Sequence, residues 1–331
     1  MPSVPRRSRP PVVVVTGPTA SGKTDLAIEV AERFDGEIVN ADSVQVYRFL
    51  NIGTAKPDPE RRARVPHHLL DVVNPDVNYS AGAYLVAARQ AADGIRERGR
   101  VVVLTGGTGL YIRAFLEGLL ADGSADPELR ESLETAHGRA VAAGDPHRLH
   151  RRLAECDPAA ADRIHPNDVR RIIRALEISH RAGIPASSVR REHHFGDRPY
   201  ASLHLVIDPG RETLDARIDA RCHGMIESGL LQEVRDLRER GFGAELRSMQ
   251  AIGYRHLGPV VDGRDTLANA LAAMRRDTRR FARRQRTWLR AVPEAVWIDP
   301  GDREQIFERV GGFLGAPTQS TQSTQSTQGS T

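Results

Sequence analysis

Apolar and polar residues fall in blocks along the chain, and the block lengths define its elements. Val12 to Thr16 is an unbroken apolar run of strand length, the pattern of a strand covered on both faces of a sheet. Gly17 to Lys23 interrupts it as a glycine-containing loop. Thr24 to Phe34 then places Leu26, Ala27, Val30 and Ala31 on one helical face. Glu37 to Asn40 reads as a second strand that stops at Ala41-Asp42-Ser43. Tyr84 to Arg98 is helical, and Val101 to Leu104 is another apolar strand, halted by Thr105-Gly106-Gly107. Leu203 to Ile207 returns to strand character before Asp208-Pro209. Helices are expected over Arg211–Arg240 and Thr266–Arg290, with Val296–Ile298 as a last edge strand. Strands alternating with helices predict a parallel sheet covered on both faces.

The pattern changes between residues 122 and 199. Helical segments dominate there, punctuated by Asp126-Pro127, Gly144-Asp145-Pro146, Asp157-Pro158 and His165-Pro166-Asn167-Asp168. The expected organisation is a core of residues 11–121 and 200–315 carrying a helical insertion at 122–199. Residues 1–10 read as a disordered arm. Residues 316–331, with their repeated Ser-Thr-Gln, read as a low-complexity tail.

The chain is 331 residues long and 40% hydrophobic, enough for a sizeable core. No apolar run approaches the roughly 18 residues of a membrane span, and the arginine-bearing start lacks a signal-peptide pattern. No membrane association and a cytoplasmic location are therefore expected. Cys156 and Cys222 stand alone and suit reduced structural thiols. Net charge is +4, and the only lysines are Lys23 and Lys56. Arginine forks phosphate and stacks on bases, which is compatible with a nucleic acid partner.

Gly17-Pro18-Thr19-Ala20-Ser21-Gly22-Lys23-Thr24 matches G-x-x-x-x-G-K-[ST] between a strand and a helix. Backbone N–H groups and a helix N-terminus make a cradle for a polyphosphate. Lys23 neutralises terminal phosphate charge, and Thr24 can offer a hydroxyl to Mg²⁺. Nucleotide hydrolases of this class end a later strand in Asp to help hold the metal. Here that strand runs into Thr105-Gly106-Gly107-Thr108-Gly109 with no carboxylate, which weakens an ATPase reading and invites a diphosphate substrate in place of ATP. Asp42 falls at the end of the second strand, at the ligand-binding edge of such sheets. It is either a proton acceptor or a helix cap.

Further segments follow in a characteristic order: Asn40-Ala41-Asp42-Ser43-Val44-Gln45-Val46-Tyr47, Ile52-Gly53-Thr54-Ala55-Lys56-Pro57, Pro66-His67-His68-Leu69-Leu70-Asp71 and Gly106-Gly107-Thr108-Gly109-Leu110-Tyr111. Later come Arg174-Ala175-Leu176-Glu177, Ala251-Ile252-Gly253-Tyr254 and Arg284-Gln285-Arg286-Thr287-Trp288. Together with the phosphate loop, over roughly residues 11–300, they resemble the tRNA dimethylallyltransferases, or tRNA isopentenyltransferases, of bacterial type. The resemblance implies an α/β fold: a P-loop NTPase-like parallel sheet flanked by helices, with an inserted all-helical domain and Mg²⁺ as the ion. It implies transfer of the dimethylallyl group of dimethylallyl diphosphate to N6 of adenosine 37 in tRNAs reading codons that begin with U.

By resemblance Asp42 is the general base, with Thr19 and Thr108 near the reacting centre. Gly17, Pro18, Thr19, Ala20, Ser21, Gly22, Lys23, Thr24 and Arg221 hold the diphosphate, with Thr24 on the metal. The anticodon stem-loop of tRNA is met by Asp42, Ser43, Val44, Gln45, Thr108, Arg130, Arg170, Arg171, Arg174, Gln250, Gly253, Tyr254, Arg255, Arg283, Arg284, Gln285, Trp288 and Arg290. A monomer is expected. The four-residue steps Arg275–Arg279–Arg283 and Arg276–Arg280–Arg284 lay two arginine rows on neighbouring helix stripes, suited to a phosphate backbone. His67-His68 and His193-His194 lack partner ligands at metal spacing and suit structural or surface roles. Competing readings are a small-molecule kinase on the same fold, a prenyl transferase acting on free adenine nucleotides, and a non-catalytic RNA-binding protein.

Overall fold

A computed structural model describes residues 9–119, 126–193 and 198–315; residues 1–8 of the expected arm and the whole expected tail, 316–331, lie outside it, as does His194. The chain divides into a unit of residues 1–115 with 199–331 and a second unit, Leu116–Arg198. The second unit thus begins six residues before the boundary read from the sequence, inside a helix.

The first unit is built on β1 (Pro11–Thr16), α1 (Lys23–Arg33), β2 (Gly36–Asn40), α2 (Pro59–Arg64), β3 (His67–His68), α3 (Ala81–Glu97), β4 (Val101–Gly106) and α4 (Gly109–Glu117). The second unit comprises α5 (Pro127–Ala142), α6 (Arg148–Cys156), α7 (Pro158–Ala161), α8 (Val169–Ala182) and α9 (Ala186–His193). The first unit then resumes with β5 (Ala201–Ile207), α10 (Arg211–Glu227), α11 (Leu230–Glu239), α12 (Tyr254–Val261), α13 (Leu267–Arg290), β6 (Val296–Ile298) and α14 (Arg303–Leu314).

The six strands form one sheet in the order β3-β2-β4-β1-β5-β6, and every pairing is parallel. Val12 to Val15 sit at its centre between β4 and β5 and are fully buried, as a two-sided apolar run requires. α1 packs Leu26, Ala27, Val30 and Ala31 into the same core. Pro10 already accepts a hydrogen bond from the Ala201 N–H, so the sheet ties down the end of the expected arm.

Because all strands run the same way, their carboxyl ends share one edge. Thr16, Asn40, Gly106 and Ile207 all end there, and the segments that follow them converge. This is where open α/β sheets bind ligands.

Two elements differ from the sequence reading. The helix expected over 211–240 is two helices, broken where Gly229 adopts φ 96°. A left-handed residue cannot continue a helix, and glycine takes that conformation without a Cβ penalty. The edge strand β3 was not expected. His67 and His68 carry no apolar signal, and the strand exists through its backbone register with Ile38 and Val39. The His68 ring bonds the buried Glu37 carboxylate at 2.6 Å, a structural pairing.

The second unit has its own core, including Leu133, Leu153, Ile172 and Leu176. Within it the fully buried Glu177 carboxylate takes both arms of the Arg130 guanidinium, at 2.8 and 2.7 Å, and also Arg174 at 3.2 Å. A buried carboxylate needs such cover, because an unpaired charge in the interior is costly.

Candidate active site

The loop after β1 wraps the start of α1. Gly22 has φ 92° and Ala20 φ 65°, so the backbone passes through left-handed positions that turn successive amides toward one side. A Cβ on Gly17 would collide with the Ile207 carbonyl, which fixes glycine at the loop entry. The Ser21 hydroxyl is buried with no hydrogen-bond partner among the described residues. The Lys23 ammonium folds back to the Pro18 carbonyl at 3.4 Å. Burial and the nearby Arg221 push its pKa down to about 8, against the opposing pull of Asp42. On α10, Arg217 and Arg221 are one turn apart and face the loop. Arg217 donates to the Ser21 carbonyl at 3.3 Å.

These groups line a cavity of about 900 Å³ whose wall also includes Thr24, Asp42 and Gln285. Cations therefore line this cavity around a loop made for anions, and the Asp42 carboxylate lines it with them. Burial lowers the Arg221 pKa while Asp42 raises it, so Asp42 lies within electrostatic reach of both Lys23 and Arg221.

Asp42 caps a turn, and not a helix: one carboxylate oxygen accepts the N–H groups of Val44 at 2.8 Å and Gln45 at 3.3 Å. Its other oxygen faces the Gly107 side, 4.0 Å from where a Cβ on that glycine would stand. Thr108 is locked to the same turn. Its hydroxyl accepts the Ser43 N–H at 2.9 Å and donates to the Ser43 hydroxyl at 3.2 Å. The Gln45 amide donates to the Thr54 and Ala55 carbonyls, so it holds the neighbouring loop.

That loop explains Lys56, the second lysine. It is buried and donates to the Tyr47 carbonyl, Asn51 and Asp71, all within 3.0 Å. Its role is architectural. The same loop is gathered by Glu233, whose carboxylate accepts the N–H groups of Asn51, Ile52 and Gly53 and the Tyr254 hydroxyl.

Several residues assigned to an RNA surface by resemblance lie inside the molecule. Tyr254 is 1% exposed, beneath Gly53, and Gln285 is 2% exposed. Gly253 is buried as well, and Arg255 pairs with Asp277 at 2.6 Å. Arg130 and Arg174 serve Glu177, whereas Arg170 and Arg171 are exposed. On α13 the arginines divide. Arg276, Arg280, Arg283, Arg284 and Arg290 are exposed, while Arg279 and Arg286 turn toward Asp219 and Asp208. Gln250 is exposed, and Trp288 is half-buried against Gly109.

The sequence reading missed Arg217 and Glu233. Arg217 was legible as the partner of Arg221 one turn away. Glu233 had no local signal, since its partners lie about 180 residues earlier.

Fold and loop together define a P-loop α/β protein with a cation-walled cavity at the carboxyl edge of its sheet. Residues 45–292 match the family described as IPP transferase, and residues 10–71 match isopentenyl transferase. The tRNA dimethylallyltransferase of Desulfosudis oleivorans is 48% identical over 295 residues, covering 88% of this chain and 92% of its own. That of Geobacter metallireducens is 47% identical over 304 residues, covering 91% and 97%. Among solved structures, the full-length tRNA isopentenylpyrophosphate transferase of Bacillus halodurans superposes with a TM-score of 0.68 at 36% identity, covering 93% and 97%. A eukaryotic dimethylallyltransferase acting on tRNA superposes with a TM-score of 0.79 at 26% identity, covering 94% and 81%. The chain belongs to the IPP transferase family of tRNA dimethylallyltransferases, and it is an enzyme of the transferase class.

Proposed function

We propose that this enzyme moves the dimethylallyl group of dimethylallyl diphosphate to N6 of adenosine 37 in tRNAs reading codons that begin with U. The observation that carries this reading is that Asp42 lines one cavity together with Lys23 and Arg221 and lies within electrostatic reach of both. Family membership supplies the substrate classes.

The exocyclic amine of adenine is a poor nucleophile, because its lone pair is delocalised into the ring. The allylic C–O bond therefore breaks as the N6–C bond forms, and the electron pair leaves with the diphosphate. Lys23, Arg217, Arg221 and the loop amides stabilise that growing charge, which is usually the largest catalytic term. Asp42 takes the N6 proton on the oxygen that the turn does not use, an effect typically worth about 10²–10⁴-fold. Thr108 and Ser43 hold the turn in place beside it. The products are N6-dimethylallyladenosine and diphosphate.

Mg²⁺ fits the donors present. The Thr24 side chain lines the cavity, and Mg²⁺ ordinarily keeps waters and substrate phosphates with few protein ligands. Thr24 would hold it, and it would supply further neutralisation of the leaving group.

The target base leaves its stack to reach the cavity, at low cost in an already unpaired loop. The exposed Arg283, Arg284 and Arg290 of α13, with Trp288 beside them, suit the phosphates and bases of an anticodon stem-loop. Within the second unit, Arg170 and Arg171 offer the same chemistry. The enzyme acts as a monomer, in the cytoplasm where its tRNA resides. No helix among the described residues is long and apolar enough to cross a membrane.

Mass spectrometry of tRNA nucleosides tests the reading. A strain lacking this protein should lose N6-dimethylallyladenosine and its derivatives, and the gene should restore them. An unchanged nucleoside profile, in a strain with no second such enzyme, contradicts it.

A further inference from the structure

We infer that Gln285 is a positioning residue that sets the diphosphate loop against the segment carrying Thr108, and through it the Asp42 turn. The inference rests on the reading above and deepens it.

Gln285 lies on the inner seam of α13 and is 2% exposed. Its Oε1 accepts the Thr19 N–H at 2.8 Å, and its Nε2 donates to the Gly107 carbonyl at 2.9 Å. Those two backbone groups follow β1 and β4, which are adjacent strands. One side chain thus spans the two loops that flank the cavity. An amide suits this role, because it offers an acceptor and a donor side by side, whereas a carboxylate lacks the donor and a cation lacks the acceptor.

Close approach reinforces the link. A Cβ on Gly107 would stand 2.5 Å from Nε2, and one on Gly109 would stand 2.9 Å from the Trp288 ring. The two glycines on either side of Thr108 therefore both seat against α13. From Gly107 the path continues through Thr108 to Ser43 and the Asp42 turn by the hydrogen bonds already described. Removing the amide strands a buried donor and acceptor and frees the loops to drift apart.

The test compares Gln285→Leu with the unmodified enzyme in transfer of labelled dimethylallyl to an anticodon stem-loop. Reactive groups misplaced by about 1 Å lose on the order of 10²-fold in rate, so kcat should fall by about that much. KM for both substrates should stay within roughly threefold, because neither is gripped by Gln285. Gly107→Ala gives a second route, since it displaces the amide while leaving Gln285 in the chain. It should reproduce the kcat loss, and the two changes combined should cost little more than either alone. It decides the matter if Gln285→Leu fails to fold.

A folded Gln285→Leu enzyme with kcat near that of the unmodified enzyme overturns the inference. So does a loss confined to KM for the RNA, which marks a direct RNA contact. Failure of the reading itself would show in the unmodified enzyme, as absence of transfer.

Discussion

Asp42 commits one carboxylate oxygen to the backbone of its own turn and leaves the other toward the cavity. Asp42→Asn keeps an acceptor for those amides but cannot take a proton. It should lower kcat by about 10²–10⁴-fold with little change in substrate affinity. Single-turnover transfer measures this, and near-normal transfer would remove Asp42 as base. Lys23 carries a different prediction. Its pKa of about 8 in the free enzyme means that it is charged below that pH and neutral above it. Because kcat/KM reports the free enzyme, its value for dimethylallyl diphosphate should fall as pH rises through about 8. A profile that stays level well past that pH would show that the Lys23 charge is not needed for capture. A third residue acts through stability. The buried His204 bonds the Thr16 hydroxyl at 2.8 Å, and burial pushes its pKa down to about 4 from 6.5. The unfolded chain then takes the proton first as pH falls from 6.5 toward 4. Stability is therefore lost across that window, by about 3 kcal/mol in all from this group. Glu37 loses its contribution lower, as pH falls toward its pKa of about 2, held there by Arg98 and His68. Denaturant unfolding at several pH values should show the His204 slope, and His204→Gln should flatten it between pH 6.5 and 4.

At the scale of elements, the loop of residues 51–55 depends on an anchor from α11. Glu233 gathers three backbone amides and the Tyr254 hydroxyl. Glu233→Leu strands them and should destabilise the fold by about 2 kcal/mol, within the range for losing hydrogen bonds to a partly buried charged group. Chemical denaturation measures it, and a loss under about 0.5 kcal/mol would be that of an ordinary surface site. How far such elements can be read from sequence depends on where their partners lie. β1, its loop and α1 were legible because an apolar run, a glycine motif and a helical face adjoin one another. β3 was not, since two histidines give no apolar signal and the strand follows from register with β2 and from the His68 bond to Glu37. The break between α10 and α11 lies in one glycine inside an otherwise continuous helical pattern. α13 is the instructive case. Its buried positions Ala270, Met274, Thr278, Ala282, Gln285 and Leu289 repeat at helical spacing, which places Gln285 on the inner seam. The arginine rows drew attention to the opposite face. Asp42, Lys23 and Thr108 were found because strand ends announce them, whereas Glu233 acts over too long a separation to leave a local trace.

At the scale of the whole molecule, the parallel sheet places β1, β2, β4 and β5 with their carboxyl ends on one edge, so loops far apart in sequence meet at one cavity. α13 joins that edge to the outside: Gln285 faces the loops, and Arg283, Arg284 and Arg290 face solvent. Those arginines should govern the salt dependence of RNA binding. Each exposed arginine replaced by alanine should weaken binding of an anticodon stem-loop and reduce the slope of log K against log salt by about 1 where it meets a phosphate. Filter binding at several salt concentrations would reveal an unchanged slope if this face is merely solvated. In the proposed reaction the anion cradle receives the diphosphate released during alkylation of RNA. This is tested most directly by incubating the purified enzyme with Mg²⁺, tRNA and dimethylallyl diphosphate labelled in its allyl group, and then analysing the nucleosides. Label should appear in N6-dimethylallyladenosine at position 37, with equimolar release of diphosphate. Brisk cleavage of ATP with no label entering the tRNA would contradict that reaction.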